Sequence, residues 1–167
     1  MRRAFLIVGL FGVLLCGVGA KGVEVSAGVV DPWQVRCELL MDATNYTGVF
    51  GAGEAATVWA EGLLHRSAAL QYTVMNKELK KEYAERLDKV GSNWVTGQSS
   101  PAVQDFNIVA VINEDNRATV DLKIKIGNAW DAGQVYDAKL WIAKEGEFWR
   151  IEKIWTNEAL YPYTFLG

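Results

Sequence analysis

With 167 residues, half of them hydrophobic, and a formal net charge of −3, the chain is long enough for one domain with a sizeable core and too apolar to be disordered. Its acidic balance excludes a surface of clustered Lys and Arg that would neutralise phosphate, so no nucleic-acid partner is expected.

Arg2 and Arg3, the apolar run 4–15 and Val18-Gly19-Ala20 have the layout of a secretory signal peptide, 1–20, cleaved near Ala20. The run falls short of the roughly 20 residues that span a bilayer, so no membrane span is expected after cleavage. A lipoprotein pattern wants a small residue before its cysteine, and Leu15 stands before Cys16. Cleavage removes both arginines and takes the net charge from −3 to −5. Cys37 is then the one cysteine left, with no intramolecular partner.

Residues 21–30 carry few large side chains and read as a leader. With an additional helix they make up a segment, 21–52, ahead of a main domain over 53–167. Asp31-Pro32-Trp33-Gln34 is a helix start: a cap, a proline at the first helical position and a residue that reaches back. Trp33, Cys37, Leu40, Met41 and Thr44 follow at i, i+4, i+7, i+8 and i+11, one helical face, which predicts a buried Cys37. Asn45, Gly48, Gly51 and Gly53 mark a loop.

A second helix is predicted over about 54–64, with Ala55, Val58, Trp59, Gly62 and Leu63 on its apolar face. His65-Arg66-Ser67 ends it, and a short helical piece runs through Leu70, Tyr72 and Met75. A third helix, about 76–90, carries the stripe Leu79, Tyr83, Leu87 and Val90 and stops at Gly91. Its pairs Glu82/Arg86 and Glu85/Lys89 have the favourable i,i+4 order. The polar loop 91–101 carries Trp94.

The period then becomes extended. Strands are predicted over 106–112, apolar on both faces, and over 118–126, 134–143 and 147–156. In the second, Val120, Leu122, Ile124 and Ile126 oppose Asp121, Lys123 and Lys125; in the third, Tyr136, Ala138, Leu140 and Ile142 oppose Val135, Asp137, Lys139 and Trp141. The tail holds Tyr161, Pro162, Tyr163 and Phe165 and either docks or frays. Helices first and strands after indicate an α+β fold, with three to four helices packed on an antiparallel sheet of about four strands.

That order, with Ala56-Thr-Val-Trp-Ala-Glu61, Arg66 through Gln71-Tyr72 to Leu79-Lys80, Trp94-Val-Thr-Gly-Gln-Ser-Ser-Pro101 and Glu147-Phe-Trp-Arg-Ile151, resembles the NTF2-like superfamily. Within it, the chain is similar to small exported domains of Gram-positive bacteria. The resemblance covers about 53–155 and implies a cone in which helices fill the concave side of a bent sheet. It brings no catalytic residue and no cofactor. The helix over 31–43 is not expected of the shortest members and reads as a lid or a dimer element. In a bacterial protein the sequon Asn45-Tyr46-Thr47 is only a loop.

Some NTF2-like proteins, ketosteroid isomerase among them, are enzymes with an acid in an apolar cone. Asp121, Asp137, Glu152, Tyr83 and Tyr136 would supply such groups here, Asp137 first because it shares a strand face with Val135 and Trp141. The preferred reading is a solvated face shared with Lys139. His65, the one histidine, reads as a helix end, and the absence of C-x-x-C and H-E-x-x-H spacing predicts no metal. Ser99-Ser100 lacks a nucleophile-elbow context. Trp94, as a Trp in a polar loop without an evident core role, is the first candidate for ligand binding. Arg66, Trp59, Tyr83, Tyr136 and Asp137 complete that set, Arg66 with a structural ion pair as its preferred reading. The expected function is a non-catalytic extracytoplasmic binding or protein-interaction module, taking a small apolar ligand in the cone or a protein on the sheet. The alternatives are a small cofactor-independent enzyme of the isomerase or dehydratase type, and a structural domain that forms a homodimer.

Overall fold

The computed structural model describes residues 31–128 and 130–166. The expected signal and leader therefore lie outside the described residues. Four helices precede a four-stranded antiparallel meander: α1 (Pro32–Ala43), α2 (Ala52–Leu64), α3 (Ala68–Thr73), α4 (Lys77–Val90), β1 (Ala102–Glu114), β2 (Arg117–Gly127), β3 (Gln134–Glu145) and β4 (Phe148–Thr156), in sheet order β1-β2-β3-β4. A 3-10 turn (Glu158–Leu160) and α5 (Tyr161–Thr164) close the chain. This is the α+β architecture expected from the sequence.

Local chemistry sets the helix ends. The Glu54 carboxylate reaches back to accept from the Phe50 N–H at 3.1 Å and so ties down the start of α2. Ser67 caps α3 by accepting from Leu70 N, and Asn76 caps α4 by accepting from Leu79 N at 2.8 Å. Gly91, with φ +62°, supplies the left-handed stop of α4. The Glu82–Arg86 pair forms at 2.6 Å, whereas Glu85 and Lys89 make no ion pair among the described residues.

α2 lies against the sheet and α3 packs on α2. Trp59 and Leu63 of α2, and Leu79, Tyr83 and Leu87 of α4, meet the inward residues Val120, Leu122, Ile124, Leu140, Ile142 and Ile151 in one buried core. Gly62 allows the close approach of α3, because a Cβ there would stand 2.5 Å from Gln71 Cγ. The outer sheet face mixes charged pairs with exposed apolar side chains, Val135 and Trp155 among them. Lys123 and Asp137 are cross-strand partners joined at 2.8 Å, and Asp121 and Lys139 at 3.1 Å.

β1 is the widest departure from expectation, at 102–114 against the expected 106–112. Gln104, Asp105 and Asn107 are polar enough to read as loop, yet pairing with β2 carries them into the ladder. Irregularities after Val103 and after Ile108 shift the face that each β1 residue shows. The tail docks: Leu160, Tyr163, Thr164 and Leu166 are buried, and Thr156 Oγ1 donates to Leu166 O at 3.1 Å.

Candidate functional site

α1 is helical where its stripe predicted, yet it contains no buried residue. Cys37, Leu40, Met41 and Thr44 face Tyr72 and Thr73 of α3, and the indole of Trp94, across an apolar cleft of about 250 Å³. Leu40 is 70% exposed and Trp33 69%. The expectation of a buried Cys37 is therefore corrected: the thiol is exposed, because at its level the stripe looks onto a cleft, and only one turn later does Met41 reach the core, half-buried.

The far wall is built by backbone pairing. Trp94 O accepts from Ala68 N at 3.0 Å, Thr96 N donates to Arg66 O at 3.1 Å, and Gly97 N donates to Pro162 O at 2.9 Å. The run 94–97 is thus wedged between the α2–α3 turn and the tail. A Cβ at Gly97 would collide with the Tyr163 ring, so this stretch admits no larger residue there. Trp94 itself sits at φ +62°, an uncommon conformation for a bulky residue, held by those pairings. Its ring meets Tyr72 edge-on with centroids 5.2 Å apart and packs against the core. Trp94 therefore has the packing role that the sequence did not disclose.

The near wall hangs from two buried cations. Lys80 Nζ donates to Thr44 O at 3.0 Å, Thr44 Oγ1 at 2.7 Å and Asn45 Oδ1 at 3.0 Å, while lying 5.2 Å over the Tyr72 ring. The Arg150 guanidinium donates to Thr73 O at 2.7 Å, to Asn45 O at 3.3 Å and to Thr47 O. Both side chains are buried, and neither makes an ion pair among the described residues. Burial, reinforced by the nearby Arg150 charge and opposed by Glu145, pushes the Lys80 ammonium down to about 8. Burial likewise lowers Arg150. The sequon loop is thus the clamped joint between α1 and the domain.

The six sequence candidates do not converge. Trp94 borders the cleft. Trp59 and Tyr83 lie in the core, where Trp59 Nε1 and the Tyr83 hydroxyl have no partner among the described residues. Burial raises the Tyr83 phenol well above its usual range. Tyr136 donates its hydroxyl to Gln134 Oε1 and borders a separate depression beside Ser100 and Pro101. Asp137 is on the outer face, its side chain 66% exposed and paired with Lys123. Arg66 turns the α2–α3 corner at φ +55° and makes no ion pair among the described residues. His65 ends α2 and pairs with Glu61 at 3.2 Å. Among the described residues no three His, Cys, Asp or Glu side chains gather where a metal ion could sit. Sequence reasoning missed Tyr72, Lys80 and Arg150. The signal for the cleft was the α1 stripe, read there as a core face.

No protein-family model matches the chain, and no curated protein matches it. Among solved structures, a SEC-C motif containing protein from Rhodopseudomonas palustris is 8% identical, covering 62% of this chain and 73% of its own, with a TM-score of 0.42. A hypothetical protein with a ketosteroid isomerase-like fold from Catenulispora acidiphila, in complex with trimethylamine, is 12% identical, covering 68% of this chain and 94% of its own, with a TM-score of 0.40. Both likenesses are loose, and neither transfers a ligand or an activity to this chain.

Proposed function

We propose that this chain is an extracytoplasmic, non-catalytic binding module of the NTF2-like type, and that it takes a small apolar ligand in the cleft at Trp94 rather than inside the sheet. The observation that carries this reading is the apolar stripe of α1 facing Tyr72 and Trp94 across open space. Apolar groups left in water around a concavity are the usual mark of a binding site. The hydroxyls at its edge are engaged locally, Thr44 with Met41 O and Thr73 with Leu70 O, so recognition there rests on shape and apolar contact.

The cone interior is occupied by Trp59, Tyr83 and aliphatic side chains, which favours the cleft over the cone. Two of the carboxylates that an isomerase-like mechanism would need, Asp121 and Asp137, sit in ion pairs on the outer sheet face. Export rests on the basic, apolar and small-residue order of residues 1–20.

Anilinonaphthalene sulfonate fluorescence on the native full-length protein tests the cleft. The dye is expected to bind, and binding should fall several-fold in Trp94→Ala and after alkylation of Cys37, with circular dichroism unchanged. Dye binding indifferent to both changes would refute the site. Mass spectrometry of the protein recovered from its producing cells tests export: an N-terminus at Lys21 is expected, and retention of residues 1–20 overturns it.

A further inference from the structure

We propose that the groove between α4 and the C-terminal half of β4 is a carbohydrate-binding site, with Trp155 and Trp141 as its stacking surface and Glu152 as a hydrogen-bond acceptor. The groove shares no lining residue with the cleft at Trp94, so this inference stands apart from the reading of that cleft.

The groove encloses about 310 Å³, at the low end of small-molecule sites. Leu79 of α4, Ile154 of β4 and Leu166 of the tail are buried and make its floor. Trp155, 48% exposed, and the half-buried Trp141 stand beside them on the outer sheet face. Lys153 is the cross-strand partner of Trp141, and Trp155 lies two residues farther along β4. Residues in that diagonal relation are about 7–8 Å apart on one face of a sheet. The β3–β4 register shifts between Trp141 and Ile142, so Glu152 has no partner across the ladder. An extra residue in a strand re-aims its side chain, and Glu152 lines the groove with no ion pair among the described residues. In the α4 wall, Arg86 is fixed by donating to Glu82 at 2.6 Å and to Phe165 O at 3.0 Å. Lys153 lies 4.9 Å from the centre of the Trp141 ring.

The lining sets the chemistry of the ligand. Two carboxylates, Glu82 and Glu152, are balanced by two cations, Arg86 and Lys153, so the groove selects neither an anion nor a cation. A purely apolar ligand would strip water from these four groups and return no hydrogen bond. A neutral molecule with flat apolar faces and hydroxyls around its edge meets both demands. A pyranose ring has that form. Its C–H face covers an indole as any apolar surface does, and its hydroxyls donate to carboxylates and accept from guanidinium and ammonium. Two indoles on one face of a sheet suit a ligand that stays flat over more than one ring, as an equatorially linked pyranose chain does. Nucleic-acid bases also stack on indoles, but their phosphates would meet Glu82 and Glu152 on a chain of net charge −3.

Isothermal titration of the native full-length protein with cellopentaose and with chitopentaose tests the groove. Saturable binding of one or both is expected, and a preference for chitopentaose would add an acetamido contact to the site. Trp155→Ala should weaken binding by about tenfold or more, and Trp155→Tyr, which keeps a ring, by much less. Glu152→Ala should weaken it by about tenfold, the loss of a charge-assisted hydrogen bond. Trp130→Ala removes an indole that is 94% exposed on the β2–β3 turn and should leave binding unchanged. Proton–nitrogen spectra of the unmodified protein read the site without any substitution: the sugar should shift the indole N–H signals of Trp155 and Trp141 and leave that of Trp130 in place. Binding of neither sugar overturns the site. So does binding that Trp155→Ala leaves intact, or indole shifts that spare Trp155. Equal losses from Trp155→Ala and Trp130→Ala would mean adhesion to exposed indoles at large and would also overturn it.

Discussion

α4 and α1 are helices of similar length that each carry an apolar stripe, and their fates differ. α4 buries Leu79, Tyr83 and Leu87 against the sheet, whereas α1 buries no residue fully, sets a half-buried Met41 against the core and is retained beside its C-terminal end by two cations. An apolar stripe thus specifies a helix and its sticky face, but burial needs a complementary surface at the right distance. α4 is held by area, and α1 by a few oriented hydrogen bonds.

Matched leucines break the comparison most sharply. Leu87→Ala in α4 should cost about 2–5 kcal/mol of unfolding free energy, because the deleted atoms leave a cavity in a closed core. Leu40→Ala in α1 should cost less than about 0.5 kcal/mol, because its side chain is already in water. Urea titrations of both variants decide it, and equal losses would mean that α1 is packed as firmly as α4.

Next in size is Arg150→Met, which keeps a buried stem and deprives the Thr73, Asn45 and Thr47 carbonyls of their donor. About 2–3 kcal/mol should be lost. Amide exchange should quicken across α1 before it does in the sheet.

Lys80→Met is the milder version, at about 1–2 kcal/mol, and it carries a pH signature. The Lys80 pKa lies near 8 in the fold, below its ordinary 10.5. Between those values the unfolded chain holds a proton that the native chain has released, so this group adds stability as pH rises from about 8 and removes it as pH falls back. Wild type should therefore gain on Lys80→Met between pH 8 and 9.5, measured as the difference in urea midpoint. A difference that is flat or falls with pH would show that Lys80 is not desolvated in the fold.

The sequence made most of the frame legible and little of the joint. α2 and α4 fall within two residues of their expected bounds, since caps and stripes are local signals. The inward and outward faces of β2 and β3 follow directly from alternation. Lys80 and Arg150 gave no such sign. Lys80 stands in a run of charges, Arg150 in an aromatic strand, and their partners lie 36 and 103 residues away. Nothing in a periodicity reports a contact of that separation. Trp94 was recognisable as an unusual loop residue, but Tyr72, which receives its edge, was only one more aromatic on a short helix.

The docked tail has a consequence for how the molecule is made. Gln71 donates to Tyr163 O, Gly97 N to Pro162 O and Arg86 to Phe165 O, so α3, the Trp94 run and α4 each wait on a residue that follows the sheet. A polypeptide emerging N-terminus first cannot finish its interior until residues 160–166 have left the ribosome.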